Sequence, residues 1–225
     1  MLAVVGTVPD PDIPIIQGYV NFEASKLYVD STEIDINRGT PALLASTATL
    51  LNCLHKGSVY AFLVGDVGLG NGSRELYSHL SSNIHNYSFH TMVFHYLQPD
   101  VDHHLNVQMS MENMVPRPKL IADAGFMYAA KMSGESWKYD LFTPDVGELA
   151  FLADENAPHP FYTRGFILAE ENKVPELIQR SYKHDNAAKH LLVKGKQDYA
   201  ANREGSSRNN RSARGEGPGS YWRDG

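Results

Sequence analysis

Short apolar runs of strand length recur along the chain, and each is followed by a turn signal and a segment of helical character. The clearest run is VYAFLV at 59–64, which a glycine-rich stretch separates from a helix candidate at 74–80. Later runs at 91–97 and 120–122 precede further helix candidates. Alternation of this kind, repeated four or five times, is typical of a mainly parallel sheet with helices on both faces. The sequence therefore predicts an α/β domain of three layers.

The first forty residues predict a different local arrangement. Residues 2–5 form a short apolar run that we expect to end at Gly6. The loose alternation over 19–36 predicts an antiparallel hairpin or flap. Thr40 and Pro41 then predict a helix start, with Thr40 as the cap and Pro41 at the first helical position.

Composition narrows the class of protein. The length of 225 residues suits one large domain, and the formal net charge of -6 argues against a general nucleic-acid binder. Anionic cofactors are compatible with this charge, because backbone N–H groups can hold a phosphate. Cys53 is the single cysteine, which excludes an intrachain disulfide and favours a cytoplasmic location. The apolar run at the N-terminus is too short for a signal peptide or a membrane span, so we expect no membrane association.

Three segments place an ionisable residue or a glycine where a predicted strand ends. They read LIADAG at 120–125, FTPDVGELAFLAD at 142–154 and HLLVKGKQDY at 190–199. In an open α/β sheet, ligands bind at the carboxyl ends of the strands. The sequence therefore predicts a ligand site built from these three turns.

The residues of these segments and their order along the chain resemble the motifs of the ribokinase-like superfamily, and within it those of the ATP- or ADP-dependent NAD(P)H-hydrate dehydratases. The resemblance implies a ribokinase-like fold, nucleotide contacts at Lys194 and Gly195, and Glu148 close to the Mg²⁺ and phosphate region without ligating the metal directly. Two residues depart from the family pattern. Gly125 replaces a second carboxylate, and Asp145 replaces the histidine usual in the dehydratase branch.

Asp123 and the turn at 143–148 are the first group of candidate substrate contacts. The carboxylate of Asp123 could orient a hydroxyl or hold a hydrated magnesium ion, but it could equally cap a helix. By resemblance, Thr143, Asp145 and Gly147 line the substrate site, whereas the alternative for this turn is a capped helix start.

The glycine-rich stretch is the second group. Amides at Gly65, Gly68 and Gly70 could cradle an anion or let a substrate approach the backbone. The spacing matches neither a Walker loop nor a dinucleotide fingerprint. The alternative is a flexible turn between a strand and a helix, with Ser73 as a cap.

The histidines invite a metal hypothesis, above all His103 and His104 with His95 upstream. Adjacent histidines on a helix point to different faces, and the sequence has no His-Glu-x-x-His arrangement. We therefore expect solvated or locally hydrogen-bonded histidines rather than metal ligands.

The resemblance implies a metabolite-repair activity in which a nucleotide phosphorylates the hydroxyl of hydrated NADH or NADPH before elimination. Two alternatives remain open: a kinase acting on a small alcohol, such as a sugar or a vitamin precursor, and a nucleotide-binding protein without catalysis. ATP or ADP with Mg²⁺ is the implied cofactor, and a homo-oligomer is expected by analogy with the family.

The family's catalytic loop, Gly-Gly-Thr-Gly-Asp, is absent from the sequence, so no catalytic residue is assigned. We expect an incomplete domain over 1–205 and a disordered or frameshifted tail over 206–225. Codons for the last six residues, read one base forward, permit Gly-Gly-Thr-Gly, which motivates the frameshift hypothesis. A chain without this loop is expected to be catalytically impaired.

Overall fold

The computed structural model describes residues 1–36, 38–160 and 173–209. This part of the chain forms eleven strands and six α-helices. The strands are β1 (Leu2–Val8), β2 (Ile16–Glu23), β3 (Lys26–Val29), β4 (Thr32–Ile34), β5 (Val59–Gly65), β6 (Thr91–His95), β7 (Lys119–Ala122), β8 (Leu141–Phe142), β9 (His190–Val193), β10 (Asp198–Asn202) and β11 (Gly205–Asn209). The helices are α1 (Thr40–Cys53), α2 (Asn71–Asn83), α3 (Val101–Glu112), α4 (Ala124–Met132), α5 (Val146–Ala153) and α6 (Val174–Lys183).

One mixed sheet contains all the described strands, in the order β11-β10-β9-β8-β7-β6-β1-β5-β2-β3-β4. The six strands from β9 to β5 run parallel to one another, which confirms the predicted mainly parallel α/β sheet. Helices follow β5, β6, β7 and β8 in sequence and return the chain to the opposite edge. The carboxyl ends of the six strands therefore lie along one edge.

The first strand runs on to Val8, so the predicted end at Gly6 is wrong. Residues Leu2 to Val8 pair with β5 on one side, and Gly6 itself still pairs with His95 of β6 on the other. A Cβ at Gly6 would lie 2.4 Å from the His95 carbonyl oxygen and 2.5 Å from Thr40 Oγ1. Glycine at this position thus permits close packing inside the strand and does not end it.

The predicted flap is confirmed as three antiparallel strands at the β5 edge. Strand β2 pairs with β5, and β3 and β4 follow through tight turns. Ala24 and Ser25 adopt positive φ values of 50° and 64° in the first turn. Two consecutive residues in this conformation suit a two-residue hairpin whose twist matches its strands.

Two buried clusters pack on opposite faces of the sheet. Helices α2 to α6 cover one face, where aromatic and aliphatic side chains such as Phe62, Phe94, Phe126 and Leu191 are buried. Helix α1 and the flap cover the β1–β5 part of the other face around Leu44. No helix within the described ranges covers the continuation of that second face, which is an open groove of about 940 Å³ beside Leu141 and Leu192.

The C-terminal edge of the described chain is a meander. Strand β10 pairs antiparallel with β9 and β11, so residues 206–209, assigned to the tail from sequence, continue an edge strand. Residues 210–225, and with them the frameshift hypothesis, lie outside the described residues. No helix in the described ranges is both long and apolar enough to cross a bilayer.

Candidate ligand site at the carboxyl edge of the sheet

Lys194 and Asp123 join two of the three predicted segments at the carboxyl edge. Lys194 follows β9, and its Nζ donates to Oδ1 and Oδ2 of Asp123, after β7, at 3.0 and 3.1 Å. Asp123 also accepts a hydrogen bond from the Ala124 amide, so it caps α4, which is the alternative role that the sequence left open for this residue. The Lys194 side chain remains 42% exposed, which leaves its ammonium group accessible to a ligand.

His95 and Thr40 extend this ion pair toward β1. His95 Nε2 lies 3.6 Å from Asp123 Oδ2, and its Nδ1 lies 3.0 Å from Thr40 Oγ1. The Thr40 hydroxyl therefore contacts His95, and the prediction that it caps α1 is wrong, whereas Pro41 does occupy the first turn. Burial lowers the pKa of His95 below its usual value against the opposing charge of Asp123, so His95 is neutral near pH 7.

Sequence reasoning missed His95 and Thr40 as members of the site. His95 ends β6 just as Ala122 ends β7 before Asp123, so the strand-end rule alone could have identified it. Thr40 carried no comparable signal. Its approach to His95 depends on β1 lying beside β6 and on Gly6 leaving space between them.

The remaining predicted segment, at 142–154, lies beside the ion pair of Lys194 and Asp123. The amide of Lys194 donates to the Pro144 carbonyl at 2.8 Å, and Asp145 and Lys194 form an isolated parallel bridge. Thr143, which is half-buried, donates its amide to the Ala122 carbonyl at 3.2 Å. The turns after β8 and β9 are therefore held together at one point of the edge.

Asp145 and Glu148 form a reciprocal capping box at the start of α5. Asp145 Oδ1 accepts from the Glu148 amide and Glu148 Oε2 accepts from the Asp145 amide, both at 2.7 Å. Burial raises the pKa of Glu148, and the Asp145 and Asp123 carboxylates contribute, giving a pKa of about 7 despite the Asp145 hydrogen bond and the charge of Lys194. Gly147 is exposed in the first turn of this helix.

The glycine-rich turn after β5 binds its own carboxylate. Asp66 accepts hydrogen bonds from the amides of Gly68, Gly70 and Ser73 at 2.9, 3.1 and 2.9 Å, and from Ser73 Oγ at 2.7 Å. Burial raises the pKa of Asp66, but these hydrogen bonds outweigh it and hold the pKa below its usual value. Of the three glycine amides that could cradle an external anion, those of Gly68 and Gly70 are thus already occupied, and the Gly65 amide donates to the Ile13 carbonyl at 2.8 Å. A Cβ at Gly65 would lie 2.0 Å from the Asp10 carbonyl oxygen, so this glycine permits backbone packing.

A cavity of about 460 Å³ opens between the ends of β1, β5 and β6, and we call it the Arg38 cavity. Its lining comes from four turns of the carboxyl edge and comprises Thr7, Pro9, Arg38, Gly39, Asp66, Val67, Gly68, Tyr96 and Gln98. The cavity provides space for a small molecule, and Tyr96 in its lining directly follows His95 in the sequence.

The remaining histidines give no sign of a metal centre. His104 is buried, donates to or accepts from the Tyr139 hydroxyl at 2.7 Å, and has a pKa lowered by burial to about 4. His103 faces Asp100 at 3.0 Å instead. Within the described ranges, no group of three or more His, Cys, Asp or Glu residues could hold a metal ion.

Comparisons with known proteins identify the fold. No family model matches the chain. An uncharacterized protein of Methanocaldococcus jannaschii is 39% identical over 163 residues, which cover 72% of this chain; the chain spans 65% of the length of that relative.

Among solved structures, phosphofructokinase-2 from Escherichia coli in complex with fructose-6-phosphate matches with a TM-score of 0.51 and 13% identity, over 95% of this chain and 80% of that enzyme. The same enzyme in complex with substrates and products gives 0.51 and 12% over the same shares. A likeness at this identity describes fold rather than activity. The chain therefore has a ribokinase-like α/β fold, as its three strand-end segments predict.

Proposed function

We propose that this protein binds a nucleotide with Mg²⁺ and a small alcohol at the carboxyl edge, as a nucleotide-dependent kinase does. The observation that carries the proposal is the convergence of Lys194, Asp123 and the Asp145–Glu148 pair at one edge of a sheet whose carboxyl ends also line a cavity of small-molecule size. Ligands of open α/β sheets bind at this edge. The solved structures of similar fold include a kinase in complex with a sugar phosphate.

The residues at the edge fit a magnesium ion that is shared with phosphates. Mg²⁺ usually keeps several waters and is held by one or two carboxylates together with substrate phosphates. The Glu148 carboxyl, with a pKa of about 7, and its partner Asp145 would hold such an ion through its water ligands. When bound, the ion would neutralise charge on the nucleotide phosphates, and Lys194 would add a second positive charge.

In the transfer step, the alcohol oxygen bonds to the terminal phosphorus, the bond from that phosphorus to the nucleoside diphosphate breaks, and a base takes the hydroxyl proton. The Gly-Gly-Thr-Gly-Asp loop that the resemblance assigns to the base is absent from the sequence.

A second candidate function is the NAD(P)H-hydrate dehydratase activity. It is favoured by the match of Thr143, Pro144, Gly147 and Glu148 to the family turn, whereas Asp145 departs from it. Hydrated NADH that regains its dihydronicotinamide absorbance would identify this activity. A stable phosphoester formed from an alcohol would identify the kinase, and binding with neither product would identify a non-catalytic nucleotide-binding protein.

Calorimetric titration with ATP or ADP, with and without Mg²⁺, tests the binding step. We expect Lys194→Gln to weaken Mg²⁺–nucleotide binding by roughly 10 to 100-fold, because a hydrogen bond to a charged group contributes about 1.5–3 kcal/mol. Lys194→Arg keeps the charge and should bind more tightly than Lys194→Gln. Lys56→Gln removes an exposed lysine beyond the end of α1 and serves as the control. Equal affinity of Lys194→Gln and the wild type would contradict the proposal.

A further inference from the structure

The Arg38 cavity contains a cation without an anionic partner. Arg38 is exposed, and within the described residues it makes no ion pair or hydrogen bond. Among the described residues of the lining, the one carboxylate belongs to Asp66, whose two oxygens already accept four hydrogen bonds from its own turn. The guanidinium group of Arg38 is therefore available to an anion that enters the cavity, and its planar fork suits a phosphate or a carboxylate.

The cavity also contains an aromatic ring held in a fixed place. Tyr96 is 51% exposed, although it directly follows the buried end of β6. Its φ of 57° is rare for a large side chain, and such backbone strain persists only where surrounding contacts maintain it.

Two contacts, and the space left by Gly39, maintain the position of Tyr96. Its carbonyl accepts a hydrogen bond from Thr7 Oγ1 at 2.8 Å, and its ring meets the His95 ring edge-on at a centroid distance of 4.4 Å. A Cβ at Gly39 would lie 3.3 Å from the Tyr96 ring, so glycine there leaves the ring its space. The ring is thus positioned by its neighbours while half of it faces the cavity.

We propose that the Arg38 cavity binds a small ring-containing alcohol that carries an anionic group, with the anion on Arg38 and the ring against Tyr96. The Gln98 side chain lines the same space and can donate to or accept from a hydroxyl. A volume of about 460 Å³ lies within the range of small-molecule sites, which is about 300–1,000 Å³. The inference rests on the proposed function in one respect: if the protein is a kinase, the molecule bound in the Arg38 cavity is the alcohol that accepts the phosphoryl group.

Four simple probes separate the two contacts. Phenyl phosphate and benzoate combine a ring with an anion, benzyl alcohol carries the ring alone, and inorganic phosphate carries the anion alone. We expect phenyl phosphate or benzoate to bind the wild type at least tenfold more tightly than either single-feature probe, by calorimetry or ligand-observed NMR. The comparison of phenyl phosphate with benzoate identifies which anion the site prefers.

Two variants test the assignment of each contact. Arg38→Gln should remove the preference for anionic probes, and Tyr96→Ala should remove the preference for phenyl phosphate over inorganic phosphate. Arg203→Gln, at an exposed arginine paired with Asp185 far along the chain, is the control and should bind as the wild type does. Because Tyr96→Ala also removes the ring contact with His95, thermal unfolding of each variant checks that it is folded. Anion binding that is unchanged in a folded Arg38→Gln variant, or absent from the wild type, would overturn the inference.

Nucleotide titration of the same variants separates this inference from the proposed function. Arg38→Gln is expected to bind Mg²⁺–ATP as the wild type does, because Lys194 and Glu148 are unchanged. If Lys194-dependent nucleotide binding is present and the probes fail to bind, only the acceptor assignment is wrong. If nucleotide binding is absent while the probes bind through Arg38, the kinase proposal is wrong and the cavity remains a ligand site.

Discussion

At the scale of single residues, Glu148 shows how a side chain that caps a helix can also have a pKa far from its ordinary value. Its carboxyl has a pKa of about 7 in the folded protein against an ordinary value of 4.5, because the half-buried group is partly desolvated and lies near two other carboxylates. The folded state therefore holds a proton that the unfolded chain loses between these two pH values. This contribution to stability is complete below about pH 4.5 and is lost as the pH rises through about 7.

Glu148→Gln tests this linkage. The glutamine keeps an oxygen that can accept a hydrogen bond from the Asp145 amide, but its side chain cannot ionise. We expect the variant to melt above the wild type at about pH 8, by roughly 2–4 °C for each kcal/mol gained, with no difference near pH 4.5. Thermal unfolding across this pH range provides the measurement. Added Mg²⁺ should narrow the gap at about pH 8 by stabilising the wild-type carboxylate, and a difference that does not vary with pH would show that Glu148 is not the titrating group.

At the scale of elements, the glycine-rich turn depends on Asp66 to define its shape. Asp66→Asn leaves a single side-chain oxygen where two accept hydrogen bonds, and turns an NH₂ group toward backbone N–H donors. We expect a loss of about 1–3 kcal/mol in the free energy of unfolding, together with faster amide exchange over 66–73. Asp102→Asn changes an exposed acid in the first turn of α3 and should cost less than about 0.5 kcal/mol. Equal effects of the two substitutions would mean that Asp66 does not organise the turn.

The same elements show what local sequence can and cannot predict. The alternation of apolar runs predicted the strands and helices, and the strand-end rule led to Asp123 and Lys194, which the structure joins. The contact between Thr40 and His95 could not be predicted, since these residues lie 55 positions apart and meet only because β1 inserts between β5 and β6. The end assigned to β1 at Gly6 was wrong for the same reason: glycine can break a strand or allow close packing, and only the neighbouring strand decides between them.

At the scale of the whole molecule, the two faces of the sheet are covered unequally in the described residues. Two adjacent residues of strand β9 show this difference in burial. Leu191 is 1% exposed in the core beneath α2 to α6, whereas Leu192 is 40% exposed on the open groove. Side chains alternate between the faces of a strand, so the two leucines probe the two sides of one sheet with the same chemistry.

Leu191→Asp and Leu192→Asp therefore form a matched pair. We expect Leu191→Asp to lose at least about 3 kcal/mol, because a carboxylate would be buried without a partner. Leu192→Asp should cost less than about 1 kcal/mol, since its charge would face water. Denaturant unfolding gives both values, and size-exclusion chromatography of the wild type and Leu192→Asp reports any change of assembly. If Leu192→Asp is as destabilising as Leu191→Asp, the groove is filled in the folded protein, and a shift from a larger species to a smaller one would identify a second copy as the element that fills it.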